Sequence, residues 1–241
     1  MTAVVTLDSD AHVAVVTLNR PEKHNAVNLE MFDALIDVGR DLATRTGIRA
    51  VVLRGAGENF CAGIDTSVFA GEGIGAAGEG RMEPMADSPA NFFQRVACIW
   101  HELPMPVIAA VHGVAFGAGL QIALGADIRI ASETARFSVM EIRWGIIPDM
   151  GLSLTARHVV RLDRLKELVY TGRIVDAREA ESLGLVTALS AEPLIEAHRL
   201  AADIAAKSPD AVRAGKSFAG DDDSTCRPRM RWLRRRVCNN A

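Results

Sequence analysis

Apolar and polar positions alternate in short bursts through the first half of the chain. Val4 to Leu7 and Val13 to Leu18 are β-branched-rich runs on either side of Asp8-Ser9-Asp10, which predicts a hairpin. Asn19-Arg20-Pro21 ends the second run. Asn28 is an N-cap for a helix through about Leu42, with Met31, Leu35 and Val38 on one face. Ala50 to Leu53 reads as a buried strand closed by Gly55-Ala56-Gly57. Gly71 to Gly80 carries five glycines in ten positions and reads as a loop over a pocket rather than a linker between domains. Beyond it, a helix from about Ala90 to Leu103 leads through Pro104 and Pro106 into a strand, Val107 to Val111. Gly113 to Gly119 is a glycine-rich turn opening a short apolar helix, Leu120 to Leu124. Asp127 to Ala131 and Ala135 to Ser138 are further strands. After Pro148 the period becomes helical: Leu152 to His158, Asp163 to Tyr170, Asp176 to Leu183 and Pro193 to Lys207. Asp176 with Glu179 has capping-box spacing. The pattern is a strand-rich α/β core followed by a helical C-terminal third.

Composition narrows the class. The chain has 241 residues, of which 49% are hydrophobic, 24% charged and 5% aromatic. That suffices for a folded core without disulfide staples and excludes wholesale disorder. No apolar run approaches the roughly 20 residues of a membrane span, and Met1 to Asp10 lacks the build of a signal peptide. Cys61, Cys98, Cys226 and Cys238 are scattered, so a reducing, cytoplasmic location is expected. The net charge of −3 hides an asymmetry: Cys226 to Ala241 contains six arginines and no acid, leaving −9 on the rest.

Candidate chemistry begins with absences. There is no GxSxG elbow, HExxH, paired CxxC or Walker-type phosphate loop. The six histidines are dispersed, so no metal site is expected, and no local histidine pattern supports Cys61 as a nucleophile. Gly117-Ala118-Gly119-Leu120-Gln121 resembles a dinucleotide fingerprint only in part, because Ile122 stands where a third small residue is needed. A pair of backbone donors suits the residues better. Phe60 to Asp65 and Phe116 to Leu120 are glycine-containing turns, and turns that open helices leave N–H groups unpaired at a positive dipole end. Two such groups on one oxygen would form an oxyanion hole. Two tight turns packing a core remain the alternative.

Asn19 to Ala26, Phe60 to Asp65, Pro106 to Leu124 and Phe137 to Gly151 resemble the crotonase (enoyl-CoA hydratase/isomerase) superfamily in order and spacing. The likeness continues through Tyr170 to Arg173 and Asp176 to Leu185. It implies a crotonase-like spiral of repeated ββα units with a helical C-terminal region used for homotrimers or dimers of trimers. It also implies an acyl-CoA substrate and no separate cofactor, coenzyme A being part of the substrate. Ile64 and Ala118 would be the oxyanion donors. Lys23, Ala26, Ala62, Gly63, Asp65, Gly117 and Trp144 would contact the substrate. Glu141 matches one catalytic glutamate of the hydratases; Gln121 stands where the other belongs, and an amide orients water without accepting its proton. Asp149, eight residues beyond Glu141, resembles the second acid of double-bond isomerases. Met140, Ile142, Trp144 and Ile146 are expected to surround Glu141 with apolar groups. A proton shift on an unsaturated fatty acyl-CoA is therefore preferred to hydration, with a catalytically idle acyl-CoA-binding protein as the non-enzymatic alternative.

The resemblance fades from about Phe218. Residues 1–190 read as the spiral core, 191–217 as a shortened helical region for trimer assembly, and 218–241 as a basic tail. The tail resembles the translation of a shifted reading frame in GC-rich DNA. A basic arm for nucleic acid or an acidic partner, and a genuine divergent tail, are the alternatives. Apart from such an arm, neither nucleic acid nor membrane is expected as a partner.

Overall fold

In a computed structural model, residues 3–68 and 80–220 are described. Most of the expected glycine-rich loop, Gly71 to Gly80, and nearly all of the basic tail lie outside them.

Strands β1 (Val5–Asp10) and β2 (Val13–Leu18) form the expected hairpin, in which Val5 pairs with Leu18 and Asp10 with Val13. The turn is at Ala11-His12, not at Asp8 to Asp10. Asp8, Ser9 and Asp10 are paired strand residues, and Ala11 takes the left-handed bend at φ +48. Polar side chains at these positions hid the last half of β1 from a reading based on apolar content.

Helix α1 (Leu29–Thr44) starts where Asn28 predicts, its side chain accepting from the Met31 N–H. β3 (Ala50–Gly55) pairs in parallel with β2, and then α2 (Phe92–Glu102) opens on a full capping box between Asn91 and Gln94. β4 (Val107–Val111), β5 (Val114–Phe116) and α3 (Ala118–Gly125) make one strand–strand–helix turn of the spiral. β6 (Ile128–Ala131) and β7 (Arg136–Ser138) begin the next. Helices α4 (Leu152–Thr155) and α5 (Leu162–Thr171) precede β8 (Val175–Asp176), α6 (Ala177–Leu183) and β9 (Ala188–Leu189). Asp176 caps α6, but only half of the expected box forms, because the Glu179 carboxylate is taken by Arg173.

First strands of successive turns build one sheet, ordered β1-β2-β3-β4-β6-β9 and parallel from β2 onward; β5, β7 and β8 form a second. β3 and β4 are buried almost throughout, as parallel strands covered on both faces should be. One face carries the main core with α1 to α3. The other is covered by α7 (Pro193–Ala205), whose Ala197 and Ala201 let it lie close to Ala50, Val52, Ile108 and Ile130.

Helix α8 (Pro209–Gly220) is tied to the core by Lys216. Its Nζ donates to the carbonyls of Trp100 and Met105, both at 3.1 Å, and to Asp127 at 2.8 Å, which also accepts from Val107 N at 2.7 Å. Lys216→Ala leaves those acceptors without their cation and should lower stability by about 2 kcal/mol in urea unfolding. A loss under half that size would show that α8 is held by packing alone.

Candidate active site

The loop after β2 is folded around one amide. Pro21 to Lys23 form a 3-10 turn, and His24 and Asn25 follow with φ of +52 and +56. Asparagine tolerates that region better than most residues. Fully buried, Asn25 accepts from Arg20 N at 2.9 Å and donates to the carbonyls of Ala56 at 2.8 Å and Asn59 at 2.7 Å. Ala62 N donates to the His24 carbonyl at 3.0 Å. Arg20 donates to the Ala26 carbonyl and to Asp65. The Asp65 carboxyl is held below its ordinary range, first by the Ser67 N–H and then by Arg20. Two segments forty residues apart in sequence are thereby locked into one wall.

Ile64 bridges to Val27: Val27 N donates to Gly63 O at 2.8 Å and Asp65 N to Val27 O at 3.0 Å. Cys61 bridges to Ala115, with Phe116 N donating to Cys61 O at 3.0 Å. Gly117 N is taken by Ser138 O at 2.9 Å, after which α3 begins at Ala118. Helix α3 thus starts two residues earlier than the sequence reading placed it. A Cβ on Gly119 would stand 2.3 Å from the Cys61 carbonyl oxygen, so only glycine permits this approach. A Cβ on Gly63, at φ +112, would lie 3.1 Å from Phe116 O and 4.0 Å from Ala118 N. The two turns therefore meet. Among the described residues, no acceptor is bonded to the N–H of Ile64 or of Ala118.

These N–H groups border a cavity of about 380 Å³. Of the residues singled out by the family resemblance, Lys23, Ala26, Ala62, Gly63, Ile64, Asp65, Gly117, Ala118, Glu141 and Trp144 line it, and Gln121 does not. Glu22, His24 and Thr66 line it too; Glu22 and His24 lie within the recognised Asn19 to Ala26 segment, and Thr66 directly follows the Phe60 to Asp65 segment.

Glu141 opens a 3-10 helix, Glu141–Trp144, that ends on the left-handed Gly145. Three residues per turn put Glu141 and Trp144 on the same side. Ile142 does not join them. It is half exposed and packs against Gly172, so it is no part of the apolar surround expected for Glu141. Met140 and Ile146 are. Gln121 is 1% exposed and Glu141 8%. The Gln121 amide Nε2 donates to Glu141 Oε1 at 2.6 Å. Among the described residues, no partner reaches Gln121 Oε1 or Glu141 Oε2 with hydrogen-bond geometry. Burial pushes the Glu141 carboxyl above its ordinary range and the charge of Asp149 adds to this, while the Gln121 amide and nearby backbone N–H groups pull it back.

Asp149 is exposed and opens on an adjoining cavity of about 390 Å³, with Met82, Phe93, Ile147 and Met150. That cavity shares Ile64 and Ile146 with the first. Asp149 and Glu141 thus face neighbouring spaces.

A family model described as enoyl-CoA hydratase/isomerase matches residues 8–238. YngF of Bacillus subtilis, provisionally named an enoyl-CoA hydratase/isomerase, is 38% identical over 208 residues, covering 85% of this chain and 76% of its own. The mitochondrial Delta(3,5)-Delta(2,4)-dienoyl-CoA isomerase of Mus musculus is 33% identical over 219 residues, covering 85% of this chain and 64% of its own. The crystal structure of an enoyl-CoA hydratase from Bacillus anthracis superposes with a TM-score of 0.80 at 32% identity, over 90% of this chain and 83% of that one.

The contact at Gly119 can be probed directly. Gly119→Ala should cost about 1–3 kcal/mol through overpacking against the Cys61 carbonyl. Gly215→Ala in α8, where an added Cβ meets nothing within 4 Å, should be neutral or slightly stabilising. Equal thermal shifts for the two variants would contradict the close approach.

Proposed function

Because the chain belongs to the enoyl-CoA hydratase/isomerase family, we propose that it shifts a double bond within an unsaturated fatty acyl-CoA thioester through an enolate. The thioester oxygen would sit between the N–H groups of Ile64 and Ala118. Donors placed where charge develops are each worth about 2.7–4 kcal/mol in the transition state. Glu141 takes a proton from C2 as the electron pair moves onto that oxygen. For a 3-enoyl substrate it returns the proton at C4, and the double bond moves to C2–C3.

The observation that carries this reading is the placement of the carboxylates. Glu141 is the buried acid of the first cavity, the Asp65 carboxylate is engaged by Arg20, and Asp149 opens on the next cavity. In a 3,5-dienoyl substrate the carbon to be protonated is farther along the chain, and an acid in the adjoining space suits that delivery. Lys23, Ala26, Ala62, Gly63 and Trp144 would bind the coenzyme A portion.

Hydration is the second reading, favoured by the partnerless Gln121 Oε1 and Glu141 Oε2. Buried acceptors without a protein partner suit a water molecule, which the glutamine would orient and Glu141 would deprotonate as it adds across a 2-enoyl double bond.

Assays with 3-enoyl-, 3,5-dienoyl- and 2-enoyl-CoA separate these readings. Double-bond migration is expected with at least one of the first two substrates. Glu141→Gln should lower it by about 10²–10⁴-fold. Since Glu141 acts ionised and burial favours its neutral form, kcat should rise with pH along a limb centred above the ordinary value of 4.5. Hydration without migration would put the second reading first. Tight acyl-CoA binding without turnover would leave an idle binding protein.

A further inference from the structure

We propose that Arg20 is a positioning residue that aims and polarises the Ile64 N–H through two peptide groups linked end to end. This inference rests on the reading in which that N–H holds the thioester oxygen.

The relay consists of successive hydrogen bonds. Arg20 Nη1 donates to the Ala26 carbonyl. On the other side of the same peptide group, Val27 N donates to Gly63 O at 2.8 Å. The Gly63 carbonyl in turn shares its peptide group with the Ile64 N–H. No peptide bond among the described residues is cis, and a trans peptide group points its C=O and its N–H in opposite directions. The Val27 bond therefore turns the Ile64 N–H away from Val27, where no acceptor among the described residues meets it. A guanidinium stands at one end of this row, and a free donor bordering the first cavity stands at the other.

Hydrogen bonds in a row polarise one another, and an ionised donor makes the first of them stronger. Arg20 is held in place for this. Its backbone N donates to Asn25 Oδ1 and its carbonyl accepts from Asn25 N, both at 2.9 Å. The same Nη1 reaches Asp65 Oδ2 at 2.9 Å, so one nitrogen grips the residue before Val27 and the residue after Ile64. Asp65 is fixed from its other oxygen, which accepts from Ser67 N at 3.0 Å. The Arg20 and Asp65 side chains are each 14% exposed, so water screens the pair little. Without Arg20, the isolated bridge between Val27 and Ile64 keeps two backbone bonds, Val27 N to Gly63 O and Asp65 N to Val27 O. The two oxyanion donors differ in what stands behind them. The Ala118 N–H opens the eight-residue α3 and takes its polarity from that helix. Ile64 lies in an extended bridge with no helix beginning at it. Arg20 supplies to Ile64, through two peptide groups, what the helix supplies to Ala118.

Isotope-edited infrared difference spectroscopy of butyryl-CoA labelled with carbon-13 at the thioester carbonyl reads this polarisation directly. A saturated thioester needs no knowledge of the natural double bond, and saturating ligand keeps changes of affinity out of the spectrum. On the wild-type protein the C=O band should lie at lower frequency than in water. Arg20→Met removes the charged donor and should reverse roughly a third of that displacement, the Ala118 donor keeping the rest. Lys216→Ala, which loosens α8 without touching the cavity lining, should leave the band at its wild-type position and so separates positioning from general loosening. An unmoved band in Arg20→Met, or an equal movement in Lys216→Ala, would overturn the relay. If Arg20→Met fails to fold, Arg20→Gln decides, because it removes the charge and keeps a neutral N–H donor: its band must again move back toward the position in water. A wild-type band that is not displaced at all would remove the oxyanion hole itself, a failure distinct from that of the relay, whatever the Arg20 variants show.

Discussion

The site is organised by the pressure of one helix end against one carbonyl. At Gly119, α3 comes so close to Cys61 O that no side chain fits between them. On its far flank Gly125 lies against the Ala97 carbonyl of α2, where an added Cβ would be 2.0 Å from the oxygen. Every residue of α3 is buried. The helix is wedged rather than merely packed, and its first turn can point only at the Phe60 to Asp65 segment. The position of the Ala118 N–H relative to Ile64, and of Gln121 relative to Glu141, both follow from that wedge.

The polar part of the site works against stability. Buried acceptors without partners cost about 1–3 kcal/mol each, and among the described residues Gln121 and Glu141 each carry one. Free N–H groups at Ile64 and Ala118 add to the load. The surrounding architecture offsets it with fully satisfied polar residues at the margins. Asn25 uses both amide protons and its oxygen, and Asp127 joins β4 to Lys216. Polar groups at the rim hold the walls.

Elements whose cause is local were legible in the sequence. Asn28 announces α1, and the apolar period marks α2, whose capping box of Asn91 and Gln94 the structure adds. Ile64, Ala118 and Glu141, singled out by family likeness, border one space. Three features escaped. Asn25 bonds to carbonyls at positions 56 and 59, and nothing near it in sequence signals such partners. Ile142 was assigned to the surround of Glu141 because every apolar neighbour was counted alike. The three-residue turn of the 3-10 helix, set by tertiary packing on Gly172, directs it away. The hairpin turn at Ala11 was missed because exposed strand residues need not be apolar.

The parallel register has a kinetic consequence. Val51 pairs with Val107, Ile108 with Ile128 and Ile130 with Ala188, so the sheet is joined across long stretches of chain. The residues around the cavity come from four of those stretches, near positions 23, 64, 118 and 141. Non-local pairing of this sort is slow, because the entropy of closing each loop is lost before its contacts form. The hairpin and α1 rest on local contacts, whereas the site needs segments far apart in sequence. During synthesis the cavity stays open until the Glu141 segment has emerged and β6 has joined the sheet. Until then the apolar edges of β3 and β4 are exposed to other chains, so the interval before site completion is also the interval of greatest aggregation hazard.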